Sequence, residues 1–205
     1  MTQKDIICAL SGGGFRATFF HAGVLRALVR LKLKDRIRVV SSVSGGSITN
    51  ALFGVWFDEI KNLEDFDRLL LKPLIAFNRK NLRNVLLRYK VMSLMNQLIT
   101  TVGSLIGTIG KPLLLFGSKQ NSQLFCQQLD EILFNHKTLA DISPNVRIVL
   151  NACNINNGAR FRFDNTDFGD YKIGYSYEVN HLPLALAVAA SACFPGLFRK
   201  VPLFP

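Results

Sequence analysis

The chain has 205 residues, 49% of them hydrophobic and 19% charged, and carries a net charge of +11. That length and balance describe one globular domain with a sizeable core and exclude a disordered chain. The positive excess favours an anionic partner: a phospholipid surface, nucleic acid or an acidic protein.

The N-terminus runs straight into a short apolar segment, Ile6 to Leu10, which predicts a buried strand. No signal-peptide core of adequate length precedes it, so a cytoplasmic location is expected. Ser11-Gly12-Gly13-Gly14 breaks the strand. Phe15 to Leu31 then places Phe15, Phe19, Val24, Leu25, Leu28 and Leu31 close to helical spacing. A second strand is predicted over Ile37 to Val43 and a second helix over Gly45 to Phe57. Strand, glycine-rich turn, helix, strand, turn and helix open a parallel α/β sheet. Sites in such sheets form beyond the carboxyl ends of the strands, where the glycine turn and Ser44 both fall.

The segment from about 62 to 120 reads as a helical insertion. Between Arg68 and Leu129 there is no Asp or Glu, and nine basic residues from Arg68 to Lys119 lie in that span. An uncharged run from Val91 to Gly110 has its apolar residues at helical spacing. It fits three readings: a bilayer span, which needs ~20 mostly apolar residues; an interfacial amphipathic helix beside a basic stretch; or a soluble helical cap. An anionic membrane surface, met through residues 68–119, is the expected partner, giving a peripheral association.

Ser122 to Phe134 predicts another helix, and Val146 to Ala152 a third parallel strand. Arg160 to Phe163 and Tyr171 to Tyr177 alternate like edge strands or a hairpin. Leu182 to Phe194 is an Ala-rich helix suited to close packing on the sheet, ending at Phe194-Pro195-Gly196. The cysteines, Cys8, Cys126, Cys153 and Cys193, are widely spaced in apolar surroundings and read as buried, reduced thiols.

The chemistry centres on Ser44. A serine at the tip of a strand-to-helix turn has its hydroxyl pushed outward, beside unpaired N–H groups at the positive end of a helix. That suits a nucleophile whose product is an oxyanion. The general motif is G-x-S-x-G, here with Ser42 in place of the first glycine. Gly12, Gly13 and Gly14 can aim backbone N–H groups into a common space. As a dinucleotide fingerprint the loop lacks an acidic residue at the end of the second strand. As a P-loop it lacks Gly-Lys-Ser/Thr. The remaining reading is an oxyanion hole facing Ser44, completed by Gly45, with Arg16 as a fixed cation for a phosphate or developing charge. A Ser44–Asp141–His181 triad is a rival, although the nucleophile of that hydrolase fold follows several strands rather than the second. No cluster has metal-ligand spacing, and no cofactor or metal is expected. No nucleic-acid motif accompanies the charge, and no nucleic-acid partner is expected.

Three blocks together, Leu10 to Ala17, Val43-Ser44-Gly45-Gly46-Ser47 and Ala189 to Gly196, resemble the patatin-like phospholipase domain. The first two also resemble, more distantly, the group IV cytosolic phospholipases. The resemblance implies a three-layer α/β domain with a parallel sheet and a lipid acyl hydrolase working through a Ser-Asp dyad. Ser44 matches the nucleophile, Gly12, Gly13 and Gly14 the oxyanion loop, and Arg16 the arginine near the substrate phosphate. The family's base is the Asp of an Asp-Gly-Gly or Asp-Gly-Ala motif shortly after the Phe-Pro-Gly block. No such motif occurs in the 205 residues. The expectation is therefore a fragment or a remnant, and the ending Lys200 to Pro205 favours a fragment. The alternative function is a non-catalytic membrane-binding module or pseudoenzyme.

Overall fold

The computed structural model describes residues 4–79, 121–193 and 200–203. The run from Val91 to Gly110, the basic residues from Lys80 to Lys119 and the Phe194-Pro195-Gly196 block lie outside the described residues.

Strand β1 (Ile6–Leu10), helix α1 (Gly14–Arg30), strand β2 (Ile37–Val43) and helix α2 (Gly45–Val55) follow in the predicted order. Strand β3 (Arg147–Cys153) lies parallel to β2, as β2 does to β1. Strands β4 (Arg160–Asp164), β5 (Phe168–Asp170) and β6 (Gly174–Ser176) then add antiparallel, each beside the last. The sheet is thus mixed rather than parallel throughout, in the order β1-β2-β3-β4-β5-β6. The cause is the length of the links. Residues 154–159 and 165–167 can close hairpins but cannot span a parallel crossover.

The sequential order β1-β2-β3 has a second consequence. Right-handed crossovers that always step in one direction put their helices on the same face. Side chains at Leu10, Val40, Ile148 and Leu150 are buried on that face with Leu25 and Val29 of α1 and Ala51, Leu52 and Phe53 of α2. On the opposite face Ile7 is 74% exposed and Val43 47%. Among the described residues, helices α1 and α2 thus share the face of the parallel strands that carries Leu10, Val40, Ile148 and Leu150.

Helix α3 (Leu63–Phe66), a wide turn at Asp67–Leu71 and helix α4 (Lys72–Arg79) form one helical run. Its buried residues are Phe66, Leu70, Leu74 and Phe77. Two spacings of four in succession drift off a 3.6-residue stripe, and the wide i→i+5 turn brings them back into line. Asp67 receives both Nε and Nη2 of Arg26, at 2.6 and 2.7 Å, which pins the run to α1. Phe77 touches Phe15 (ring centroids 5.7 Å apart) and Phe125 (6.4 Å), tying α1 and α4 to helix α5 (Asn121–Leu129). The described part of the expected insertion is thus built into the common core. Each fully buried aromatic there contributes roughly 1.5–3 kcal/mol.

The helix predicted to end at Phe134 does so through another wide turn, Asp130–Phe134. Helix α6 (Leu184–Ala192) buries Leu184, Ala185, Ala187, Val188 and Ala189 against α2 and β3, where its alanines allow close approach. All four cysteines are free; Cys153 is exposed, contrary to expectation, and the other three are partly buried. Burial, with a smaller push from Asp130, raises the Cys126 thiol to about 11. Burial, with Cys126 nearby, raises Cys193 to about 12, so neither is a thiolate at neutral pH. No helix among the described residues is long and apolar enough to cross a membrane.

Candidate active site

The chain reverses from β2 into α2 at Ser44, whose backbone sits at φ +55°, ψ −123°. An L-residue rarely adopts that conformation, and it persists only where its surroundings over-determine it. Those surroundings are the glycine loop. A Cβ at Gly12 would lie 3.3 Å from Ser44 Cβ and 3.9 Å from its Oγ. A Cβ at Gly45 would overlap the Gly14 carbonyl, and one at Gly46 would lie 2.8 Å from the Ser11 oxygen. The loop itself turns through Gly13 at φ +139° and Gly14 at φ +59°. Gly12, Gly13, Gly14, Gly45 and Ser44 thus gather at one point, as their places at the ends of adjacent parallel strands imply.

Side chains behind this point lock it. The Thr18 hydroxyl donates to the Gly45 carbonyl at 2.9 Å, with the Gly14 carbonyl at 3.2 Å. Thr49 donates to the Thr18 carbonyl at 2.8 Å. The buried His21 brings Nε2 to 3.0 Å from the Ser11 carbonyl, so that nitrogen carries the proton and donates. This histidine holds the start of the loop.

Beneath Ser44 runs a chain of hydroxyls. Ser191, near the end of α6, donates to the Asn151 carbonyl at 2.7 Å and accepts the Ser44 backbone N–H at 3.0 Å. Its single proton is then used, so Ser47 donates to it across 2.8 Å. By the same count the Ser42 hydroxyl donates to Ser47 at 3.0 Å, with the Val149 carbonyl at 3.3 Å, and Asn50 Nδ2 donates to Ser42 at 2.8 Å. Ser42 and Ser47 are buried completely or nearly so. The departure from G-x-S-x-G at Ser42 therefore supplies a member of this chain. Neither Ser191 nor Asn50 carries a sequence signal for this role, although Ser191 lies within the family-like stretch Ala189 to Gly196.

The electrostatics are one-signed. Helices α1 and α2 begin at Gly14 and Gly45, in contact with each other. Neither first turn contains an acidic residue, and neither helix has a side-chain cap. Two sets of unpaired N–H groups, each at the positive end of a helix, converge beside Ser44. Arg16 adds an exposed guanidinium in the first turn of α1, without an ion pair among the described residues. The Ser44 hydroxyl, half-buried, likewise has no hydrogen-bond partner among them.

The rival triad does not assemble. Asp141 accepts from Thr138 N–H at 2.7 Å, in the turn beside Ser143, whose N–H meets Gly54 at the far end of α2. Eleven residues of helix separate that end from Ser44, on the order of 15 Å. His181 lies at the same distant end, just before α6. Asp164, Asp167 and Asp170 are engaged by Arg147, Arg162 and Asn154, each at 2.7 Å. Among the described residues no group of three or more His, Cys, Asp and Glu could hold a metal ion.

The model of the patatin-like phospholipase family matches residues 8–204. The chain belongs to the patatin-like phospholipase family. Among solved structures, human GIVD cytosolic phospholipase A2 in complex with methyl gamma-linolenyl fluorophosphonate is similar at 16% identity and a TM-score of 0.55, over 92% of this chain and 29% of that one. A second structure of human GIVD cytosolic phospholipase A2 gives 18% identity and a TM-score of 0.51, over 91% and 28%. ExoU of Pseudomonas aeruginosa, in complex with SpcU, matches at 18% identity over 93% and 38%, with a TM-score of 0.34. At these identities the human structures speak for the fold alone, and the third carries no weight. No curated protein matches the chain. This patatin-like chain spans less than a third of the length of the phospholipase A2 chains.

Proposed function

We propose that the protein is a serine lipid acyl hydrolase, cleaving carboxylic esters of phospholipids, lysophospholipids or related lipids. The observation that carries this reading is the strained Ser44 held against Gly12 where two uncapped helix N-termini meet. Membership of the patatin-like phospholipase family supports a lipid substrate.

Ser44 Oγ attacks the ester carbonyl carbon, and its proton passes to the aspartate of the Ser-Asp dyad that the family resemblance implies. The carbonyl oxygen becomes an oxyanion, held by backbone N–H groups of the Gly12–Gly14 loop and Gly45. Collapse of the tetrahedral intermediate breaks the ester C–O bond. The leaving alkoxide takes the proton back from the aspartic acid, and an acyl-serine remains. Water, deprotonated by the same carboxylate, attacks that acyl group and frees the fatty acid and Ser44. Arg16 pairs with the substrate phosphate. The basic residues between Arg68 and Lys119 draw the protein to anionic lipid at the cytoplasmic face of a membrane.

Labelling with an alkyl fluorophosphonate tests the nucleophile. In the full-length protein the adduct is expected on Ser44 and is lost in Ser44→Ala; labelling that survives this substitution excludes Ser44. The second reading, a non-catalytic membrane-binding module, is favoured by the lack of any carboxylate at the Ser44 hydroxyl among the described residues. It predicts a full-length protein that neither labels nor turns over, yet still floats with vesicles.

A further inference from the structure

The end of the sheet that holds Ser44 also holds two hairpin tips. β3 runs parallel to β2, so its last residue, Cys153, lies toward the Ser44 end, opposite Arg160 at the start of β4. The β3–β4 turn, residues 154–158, therefore projects from that end. β5 pairs with β4 in reverse and ends at Asp170, so the β5–β6 turn, Tyr171-Lys172-Ile173, projects from it as well.

The two turns are fastened together. Asp170 is fully buried and accepts Asn154 Nδ2 at 2.7 Å from the first turn. It also accepts the N–H groups of Lys172 and Ile173, at 2.8 and 3.1 Å, from the second. Lys172 Nζ donates to the Asn157 carbonyl at 2.8 Å. This carboxylate is spent on fixing the shape of the rim. That rigidity makes its outward side chains unusual: Ile155 is 67% exposed, Tyr171 72% and Ile173 64%. Among them stand the exposed cations Lys172 and Arg160, and residues 151–163 and 171–177 contain no Asp or Glu.

Large apolar side chains held outward on rigid turns, ringed by cations and free of exposed acids, fit an interface that is apolar within and anionic at its surface. Tyrosine, with an apolar ring and a polar tip, suits the boundary between the two. We propose that the turns 154–158 and 171–173 form a docking rim that seats on an anionic lipid bilayer, inserting Ile155, Tyr171 and Ile173 and turning the Ser44 end toward the membrane. In the sequence these turns lie outside the basic segment at 68–119. The proposal rests on the lipid-surface reading of the function, but its test reads insertion rather than turnover, so either can fail without the other.

The test places a tryptophan at Ile173 and, as a control, at Leu31, which is exposed at the opposite end of α1. Each variant is mixed with vesicles of phosphatidylcholine and phosphatidylglycerol, with and without brominated acyl chains. Emission is compared with the wild type, whose Trp56 gives the common baseline. The expected result is a blue shift and bromine quenching for Ile173→Trp and neither for Leu31→Trp. Vesicle flotation of the Ile155→Ser/Ile173→Ser variant is expected to fall about tenfold, with an unchanged circular dichroism spectrum. An unquenched Ile173→Trp in a protein that floats overturns the proposal. Failure of the wild type to float overturns it too, and leaves the rim as a surface for another protein.

Discussion

The backbone N–H of Ser44 donates to the hydroxyl of Ser191, 3.0 Å away and 147 residues later in the chain. A turn in a costly backbone conformation is thereby held from outside by the end of α6. Ser191→Ala leaves the Ser44 N–H and the Ser47 hydroxyl without their partner. It is expected to lower stability by about 1–3 kcal/mol and to slow fluorophosphonate labelling of Ser44. Denaturant melts and labelling time courses measure the two effects. Labelling at the wild-type rate in a destabilised Ser191→Ala variant would show that the bond supports the fold without shaping the site.

The glycines should separate sharply by position. Gly45→Ala and Gly46→Ala each drive a Cβ into the backbone of the glycine loop. Overpacking of this kind costs about 1–3 kcal/mol where neighbours can yield, and backbone yields little. Gly23 lies in the interior of α1, exposed and with open space where a Cβ would stand. Gly23→Ala should therefore stabilise the protein by roughly 0.5–1 kcal/mol. Thermal melts of the three variants compare them directly; a loss of stability in Gly23→Ala would contradict the helical account of α1.

Asp170 gives the rim a pH signature. Burial alone raises its carboxyl, but hydrogen bonds from Asn154, the Lys172 and Ile173 N–H groups and Asn157 together hold it below the usual aspartate range. A carboxyl held low in the folded state contributes stability above its unfolded value and loses it as pH falls through the folded value. The melting temperature of Asp170→Asn should therefore lie well below that of the wild type at neutral pH. The gap should close only at pH values below the ordinary aspartate range. A gap that closes near pH 6 would point to another group.

Turnover by residues 1–205 alone should be poor. Removing the carboxylate from a serine hydrolase lowers kcat on the order of 10⁴-fold, and the Ser44 hydroxyl has no such partner among the described residues. With p-nitrophenyl butyrate the expected rate is barely above background. A rate like that of an intact lipase would mean that one of these 205 residues acts as the base.

The first two strands and the helices after them were legible because each signal was local. In β1 an apolar run of five residues stops at Ser11; in β2 the apolar residues Ile37, Val39, Val40 and Val43 lead to Ser44; a helical period follows each. Ser44 and the glycine loop were legible for the same reason. Strand β5 was missed because it is three residues long and contains Gly169 at φ +152°, where a Cβ would meet the backbone of Tyr175. The alternation from Tyr171 to Tyr177 reads as a strand, yet only Gly174–Ser176 pairs, and the tyrosines point to solvent. Periodicity marks which residues share a side but not whether that side is covered. The hydroxyl chain was invisible because its members, Ser42, Ser47, Asn50 and Ser191, meet only after folding.

Strand β1 has one hydrogen-bonded neighbour among the described strands, and its residues Ile6-Ile7-Cys8-Ala9-Leu10 carry no charge. An uncharged edge strand with the apolar Ile7 exposed on it is a template for strand addition. In concentrated solution these 205 residues should self-associate through that edge and form β-rich aggregates. Ile7→Lys, placed where the side chain is already exposed, should raise the concentration at which sedimentation first detects oligomers.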